Sequence, residues 1–358
     1  MKGLNQLKNM ADVISSFEKH HISKELLHYV FFEADEEALN LLRDTANKKR
    51  RIYFSNHVYI RGLIELTNYC KNDCLYCGIR KSNSAVVRYR LNEDQVFAAC
   101  VKGYDIGFRT FVLQGGEDPY FTDEVLCSMI SKIKNRFPDC ALTLSLGERS
   151  FESYHKLYKA GADRYLLRHE TADEKHYQML HPGQMSFKNR MKSLSTLKEI
   201  GFQTGAGFMV GSPYQKLSNL VSDLQFIAQF QPAMVGIGPF LPASNTPFSQ
   251  MPKGCYQQTL KLLALVRIIN PRLLIPSTTA LGTATEDGRI AGINWGANVL
   301  MPNLTPEDFR RHYNLYDNKE VTGLNTKKDF DKLNSWLKSW GFEAVISRGD
   351  FPNHQTPI

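Results

Sequence analysis

The 358-residue chain has no apolar run long enough to cross a bilayer, and its opening, MKGLNQLKNMADVISSFEKHH, lacks the continuous hydrophobic stretch of a secretory leader. These absences argue against membrane insertion and predict a cytoplasmic location. Low-complexity stretches and flexible linkers are missing too. No polybasic tract is interleaved with aromatics, which argues against nucleic acid as a partner. Lys plus Arg number 44 against 36 Asp plus Glu, a net charge of +8, and a balance this modest suits an anionic small substrate. There are seven cysteines. In a reducing compartment, clustered cysteines serve as metal ligands more often than as disulfides. Yet no second CxxC or HxxxH pair follows the first, so the two-knuckle pattern of a structural zinc site is absent.

What is present is TNYCKNDCLYCGIR, Thr67 to Arg80, with Cys70, Cys74 and Cys77 spaced C-x3-C-x2-C. A structural zinc or a fully ligated iron–sulfur cluster asks for four ligands. Three thiolates on a cubane leave one iron free to chelate a small molecule. The other cysteines, Cys100, Cys127, Cys140 and Cys255, stand singly among apolar residues and read as core packing.

Residues 1–55 read as a helical extension, with apolar residues at helical spacing and a basic end. The Lys48–Arg51 run reads as a solvated helix terminus. Eight short apolar runs follow: IRGLIELTN, TFVLQGGEDP, ALTLSLGE, RYLLRHET, QTGAGFMVGSP, MVGIGPFLP, LLIPSTTALG and ANVLMPNLTP. Amphipathic segments such as DEVLCSMISKIKNRF separate them. This alternation predicts an α/β fold, a (β/α)8 TIM-type barrel over 56–310, with an open or partial barrel as the alternative. Residues 311–358 read as a C-terminal extension, where Trp336 and Trp340 mark a helix packing on the barrel. Nearly every run ends in polar or glycine-rich residues, the strand mouths where barrel active sites sit. The cysteine loop follows the first run and lies at the same end.

C-x3-C-x2-C with Tyr76 before the last cysteine resembles the radical S-adenosylmethionine (radical SAM) enzymes. The resemblance implies one 4Fe-4S cluster on Cys70, Cys74 and Cys77, with SAM on the open iron. Gly115, Gly116 and Glu117 of QGGEDP match the motif that meets the SAM amino group. Glu170 of RHET is placed to accept from SAM ribose hydroxyls or its amino group. Arg190, in the following helix, is placed to fork the SAM carboxylate. Taken in order, QGGEDP, LSLGE, RYLLRHET, GFMVGSPYQ, MVGIGPFLP, TTALGT, GANVLMPNLTP and LYDNK resemble the FeFe-hydrogenase maturation radical SAM proteins of HydE type, within the biotin synthase-like group. That resemblance implies a 5′-deoxyadenosyl radical acting on an iron–cysteine complex carrying carbon monoxide and cyanide. The partners it implies are a second radical SAM maturase, a scaffold GTPase and an electron donor. Its candidate substrate-binding residues are Thr143, Ser145, Arg164, Thr278, Thr279, Met301, Asn303, Tyr313 and Tyr316. For Arg164 a salt bridge at the barrel floor is an equal alternative, and for the threonine pair a helix cap. The C-terminal region lacks the further cysteines that hold a second cluster in some members. Two competing readings are methylornithine synthase, or a similar amino acid-directed radical SAM enzyme, and a non-catalytic iron–sulfur carrier.

Overall fold

The computed structural model describes residues 9–320 and 323–352. Helices α1 (Met10–Glu18), α2 (Lys24–His28) and α3 (Glu36–Phe54) precede the barrel, with a π-helical turn at Tyr29–Glu33. Each α-helix starts on a side-chain cap, from Asn9, Ser23 and Asp35, which satisfies an otherwise unpaired N–H. The basic end of α3 departs from the solvated terminus expected. Arg50 is fully buried, with its guanidinium 4.8 Å from the Phe342 ring centre, and burial lowers its pKa to about 10.

Strand and helix then alternate. β1 (His57–Ile60) and β2 (Gly62–Thr67) are interrupted only at Arg61 and lead to α4 (Glu93–Ile106). β3 (Thr110–Gly115) precedes α5 (Asp123–Arg136), and β4 (Ala141–Ser145) precedes α6 (Phe151–Lys159). β5 (Arg164–Leu166) is followed by α7 (Glu174–Leu180) and α8 (Phe187–Ile200). β6 (Gln203–Ala206) and its extension β7 (Met209–Val210) lead to α9 (Leu217–Phe230). β8 (Met234–Val235) and its extension β9 (Gly238–Pro239) lead to α10 (Tyr256–Ile269). Residues 274–276 cross next, before α11 (Thr279–Ala284) and α12 (Gly288–Asn294). β10 (Val299–Leu300), α13 (Glu307–Arg310), α14 (Lys327–Ser339) and β11 (Glu343–Val345) complete the order.

The parallel ladder runs β2-β3-β4-β5-β6-β8. It closes through parallel bridges Met234 to Leu274, Pro276 to Val299 and Leu63 to Asn303, and through β10 paired with β1. Each of the eight apolar runs supplies one stave, so the sheet is a closed barrel and not an open one. Side chains at matched register share a face. Leu63, Val112, Thr143, Arg164 and Gln203 form one row, and Glu65, Gln114 and Ser145 the row nearer the mouth. At the opposite end β11 pairs with β1, and residues 348–351 reach across the floor.

Three details differ from the sequence expectations. Trp336 packs on the core, whereas Trp340, at the C-cap of α14, is 49% exposed. Cys100 and Cys140 are buried and Cys127 partly so, but Cys255 is exposed. Thr278 is the N-cap residue of α11 without a capping bond from its side chain. Its hydroxyl lies 3.4 Å from the Ile237 carbonyl instead.

Candidate functional site

The cysteine loop leaves β2 with no regular structure of its own, so its backbone groups need partners from side chains. Arg88 supplies most of them. Its guanidinium donates to the carbonyls of Asn68, Ile79, Arg80 and Asn83. Asn68 donates through Nδ2 to Val87 and His312 carbonyls, at 2.8 and 2.7 Å. Arg80 pairs with Asp73 at 2.7 Å. The Leu75 N–H donates to the Leu180 carbonyl, which ties the loop to the end of α7. Tyr76 turns its ring into the same seam, its hydroxyl 3.1 Å from His181 Nε2, so its side chain fastens the loop to α7. Gly116 is required here: a Cβ would stand 2.1 Å from the Tyr69 carbonyl and 2.8 Å from Cys70 Cβ.

All three thiols are free and half-buried. Burial pushes each up, Cys77 to about 12, and neighbouring thiolate charge raises Cys74, through Cys77 and Cys70, and Cys77, through Cys70, further. Three thiolates this close need a compensating cationic centre, which cluster irons supply. Among the described residues, no three His, Cys, Asp or Glu converge on a single ion. A cubane takes one thiolate per iron and does not require that convergence. The donor set therefore fits a cluster.

Around the thiols lies a compact charge network. Gly115 closes β3, and Glu117 is held by Lys71 at 3.3 Å. The Glu117 side chain crosses directly over Gly147, whose φ of +74° and lack of a Cβ admit it. Arg190 is 6% exposed; its Nε meets Glu148 at 2.5 Å, one terminal nitrogen donates to the Arg168 carbonyl at 2.6 Å, and the other stands 4.0 Å from Glu117. Burial works against that charge, but Tyr177, Glu148 and Glu117 outweigh it and keep Arg190 protonated. Glu170 sits at φ +65°, pinned by its N–H to the Gly207 carbonyl and its carbonyl to the Met209 N–H. It lies 3.1 Å from Arg168, yet its Oε2 makes no aligned hydrogen bond. Paired with the Arg168 guanidinium, the carboxylate still has acceptor capacity for a further donor. Glu170 and Arg190 both lie within electrostatic reach of Cys74, Glu170 raising its pKa and Arg190 lowering it.

Deeper in the barrel, Glu65 is fully buried and ion-paired with Lys319, while Asn303 donates to its other oxygen at 2.8 Å. Gln114 donates to the buried Tyr313 hydroxyl at 3.4 Å, and Ser145 neighbours Gln114 in the register. Met301 packs against the cluster of Tyr59, Met234, Leu274 and Val299. Tyr316 interacts with Thr283 of α11, the helix that Thr278 caps and Thr279 begins, and burial pushes its hydroxyl up to about 12. Thr143 is fully buried with a hydroxyl that has no hydrogen-bond partner. Arg164 stands apart from the mouth. It pairs at 2.6 Å with Asp350 on the floor, so its anion is the chain's own carboxylate.

Sequence reasoning passed over four residues of this assembly: Glu65, Glu148, Lys319 and His181. Glu65 carried a readable signal, since it is a charge in the middle of the apolar strand GLIELT. Glu148 and Lys319 end the LSLGE and LYDNK motifs without being singled out there, and His181 carried no local signal.

Residues 64–227 match the Radical SAM superfamily. The chain is 42% identical to the FeFe-hydrogenase maturase subunit HydE of Thermotoga maritima, over 86% of this chain and 88% of that protein. It is 30% identical to a 3-methylornithine synthase of Methanosarcina acetivorans, over 81% and 82% of the two chains. A crystal structure of methylornithine synthase (PylB) superposes with a TM-score of 0.79, covering 93% of this chain and 97% of that one at 24% identity, a likeness of fold. With the thiol triplet at the mouth of a closed barrel and relatives matched across most of their length, the chain belongs to the HydE family of radical SAM enzymes.

Proposed function

We propose that the protein acts in FeFe-hydrogenase maturation, on an iron–cysteine precursor carrying carbon monoxide and cyanide, during assembly of the two-iron subcluster. The observation that carries the reading is the set of three half-buried thiols at the barrel mouth, within electrostatic reach of Glu170 and Arg190. The 42% identity to a hydrogenase maturase supports a place in hydrogenase maturation. Cys70, Cys74 and Cys77 would hold a 4Fe-4S cluster, leaving one iron for SAM. When bound, cluster and SAM supply a 5′-deoxyadenosyl radical by reductive cleavage of the sulfonium. The chain's own residues bind and orient. Glu170 accepts from SAM hydroxyl or amino groups, Arg190 faces the carboxylate, and Glu117 with the Gly115 and Gly116 carbonyls meets the amino end. Tyr76 and His181 hold the loop rigid. Below them the wall of Glu65, Gln114, Ser145, Thr143, Asn303, Tyr313 and Tyr316, with Thr278, Thr279 and Met301, receives the substrate and excludes water. A second radical SAM maturase supplies that substrate, and a scaffold GTPase takes the product. Cytoplasmic residence and the divisions 1–55, 56–310 and 311–358 belong to the same reading.

The test is anaerobic reconstitution, reduction with dithionite and assay for 5′-deoxyadenosine. Formation of the nucleoside is expected; an intact cluster spectrum without it overturns catalysis. Cys74→Ala is expected to abolish both cluster and product. The 30% identity to 3-methylornithine synthase favours a second reading, an amino acid substrate. Incubation with SAM and lysine decides it: methylornithine would replace the maturase assignment.

A further inference from the structure

We propose that Asp223 of α9 is a positioning residue for SAM binding: its carboxyl holds the turn on both sides of Glu170 and so sets where the Glu170 acceptor stands. The proposal rests on the radical SAM reading above and extends it to a residue that acts only through Glu170. Glu170 sits at φ +65°, a conformation that residues other than glycine seldom adopt and that persists where the surroundings enforce it. Its N–H donates to the Gly207 carbonyl at 3.0 Å and its carbonyl accepts from the Met209 N–H at 3.2 Å, which fixes one edge of the turn. The residues on either side are held by a single oxygen. Ahead of Glu170, His169 Nδ1 accepts from the Gly207 N–H at 3.3 Å, which assigns the ring proton to Nε2, facing Asp223 Oδ1 at 3.4 Å. Beyond it, the Ala172 N–H donates to the same Oδ1 at 2.5 Å. Thr171 is fully buried, and its hydroxyl meets His176 Nδ1 at 3.1 Å, which ties the outgoing chain to α7.

Asp223 has no competing task. It lies on the buried face of α9 with Leu220, Leu224 and Ile227, as fully enclosed as His169, and its Oδ2 makes no hydrogen bond. A carboxyl enclosed among apolar side chains is costly to desolvate, so a packing role alone would be served better by a leucine. Burial pushes the carboxyl up and the imidazole down, so both groups favour their neutral forms. What the turn needs from position 223 is therefore an acceptor oxygen in place and not a charge. An acid with a merely structural role would stabilise the fold and leave SAM affinity alone. A positioning acid acts on SAM affinity through Glu170, and its effect vanishes once the Glu170 carboxylate is gone.

The experiment reconstitutes the full chain and its variants anaerobically. It measures iron content, melting temperature, equilibrium binding of radiolabelled SAM, and KM and kcat for 5′-deoxyadenosine formation with dithionite. Asp223→Asn keeps an acceptor at Oδ1, whereas Asp223→Leu removes it at similar volume. We expect Asp223→Leu to keep full iron content and to bind SAM ~10-fold more weakly, with KM raised and kcat little changed. Asp223→Asn should stay within ~2-fold of wild type. Glu170→Ala should weaken SAM binding by itself, and adding Asp223→Leu should weaken it no further. If Asp223→Leu does not fold, His169→Phe carries the same expectations, since it keeps a ring against Phe226 and removes both nitrogens. Wild-type SAM affinity in the folded Asp223→Leu or His169→Phe variant, an equal loss in Asp223→Asn, or losses that add to that of Glu170→Ala would overturn the proposal and leave the catalytic reading standing. A wild type with an intact cluster that binds no SAM would overturn the catalytic reading and the proposal together.

Discussion

At Gly116 the room for a side chain is filled by the cysteine loop itself. An alanine methyl group would meet backbone, the Tyr69 carbonyl, which has no rotamer with which to yield. Overpacking of this kind costs ~1–3 kcal/mol. The strain would fall on the segment that sets Cys70, so Gly116→Ala should lower the melting temperature of the apoprotein and the iron content after reconstitution together. Full iron content in a destabilised variant would mean that the loop does not depend on this contact. Glu65 poses the opposite problem, a charge deep in the barrel balanced by Lys319 and Asn303. Removing one member of a buried pair leaves the other uncompensated and costs ~3–5 kcal/mol. Urea unfolding of Glu65→Ala should show a loss of that order. A loss below ~1 kcal/mol, the value of a surface pair, would refute the buried pairing.

The elements were legible where burial is uniform. A strand covered on both faces reads as a near-continuous apolar run, which is why all eight staves could be seen in advance. Helix starts were legible too, through Ser, Thr, Asn and Asp caps such as the Asn92–Gln95 box of α4. What tertiary packing decides was not. Arg50 looks like any basic helix end until Phe342 covers it, and Trp340 looks like core until α14 ends beside solvent. The same holds for three histidines that tie the β5, α7 and α9 regions together. His169 lies 3.4 Å from Asp223 of α9, His176 bonds Thr171 and the Pro213 carbonyl, and His181 bonds Tyr76 and the Tyr177 carbonyl. Burial lowers all three, His169 and His181 to about 3. Their folded values lie below the ordinary value of ~6.5, so the unfolded chain binds more protons as the solution is acidified. Their contribution is complete above that pH and is lost as pH falls toward the folded values, by ~1.4 kcal/mol per unit for each histidine. Stability should therefore decline between about pH 6.5 and 5 with net proton uptake on unfolding, reduced by the buried Asp223 carboxyl, whose raised value works in the opposite direction; no net uptake would show that these rings titrate in the native state.

Over the whole molecule, the barrel is sealed at its floor by residues that lie far from it in sequence, and no local pattern announces such a pairing. Arg164 meets Asp350 at 2.6 Å, and Arg348 bridges Asp350 and Asp163 at 2.9 and 2.8 Å. Burial alone would raise Asp350; the hydrogen bonds from Arg348 and Arg164 instead bring it to about 2. Arg61 adds a second buried cation beside Arg164, held by the Met234 sulfur at 3.1 Å and the Gly349 carbonyl at 3.2 Å. The floor thus packs two buried arginines beside the part-exposed carboxylates of Asp350 and Asp163, and repulsion from Arg164 lowers the pKa of Arg61 beyond what burial does. Losing the Asp350 carboxylate alone should be costly, because it strands Arg164. Losing Arg164 as well should recover much of that cost, because the replacement ends the repulsion on Arg61. Asp350→Asn is therefore expected to destabilise the protein, and Arg164→Met/Asp350→Asn to be the more stable of the two variants. A cycle of wild type, both single variants and the double variant, unfolded in urea, should return a coupling energy of ~0.5–3 kcal/mol. Additive effects would mean that the C-terminal segment is held by its backbone contacts alone and that Arg164 remains free to take an anion from the barrel.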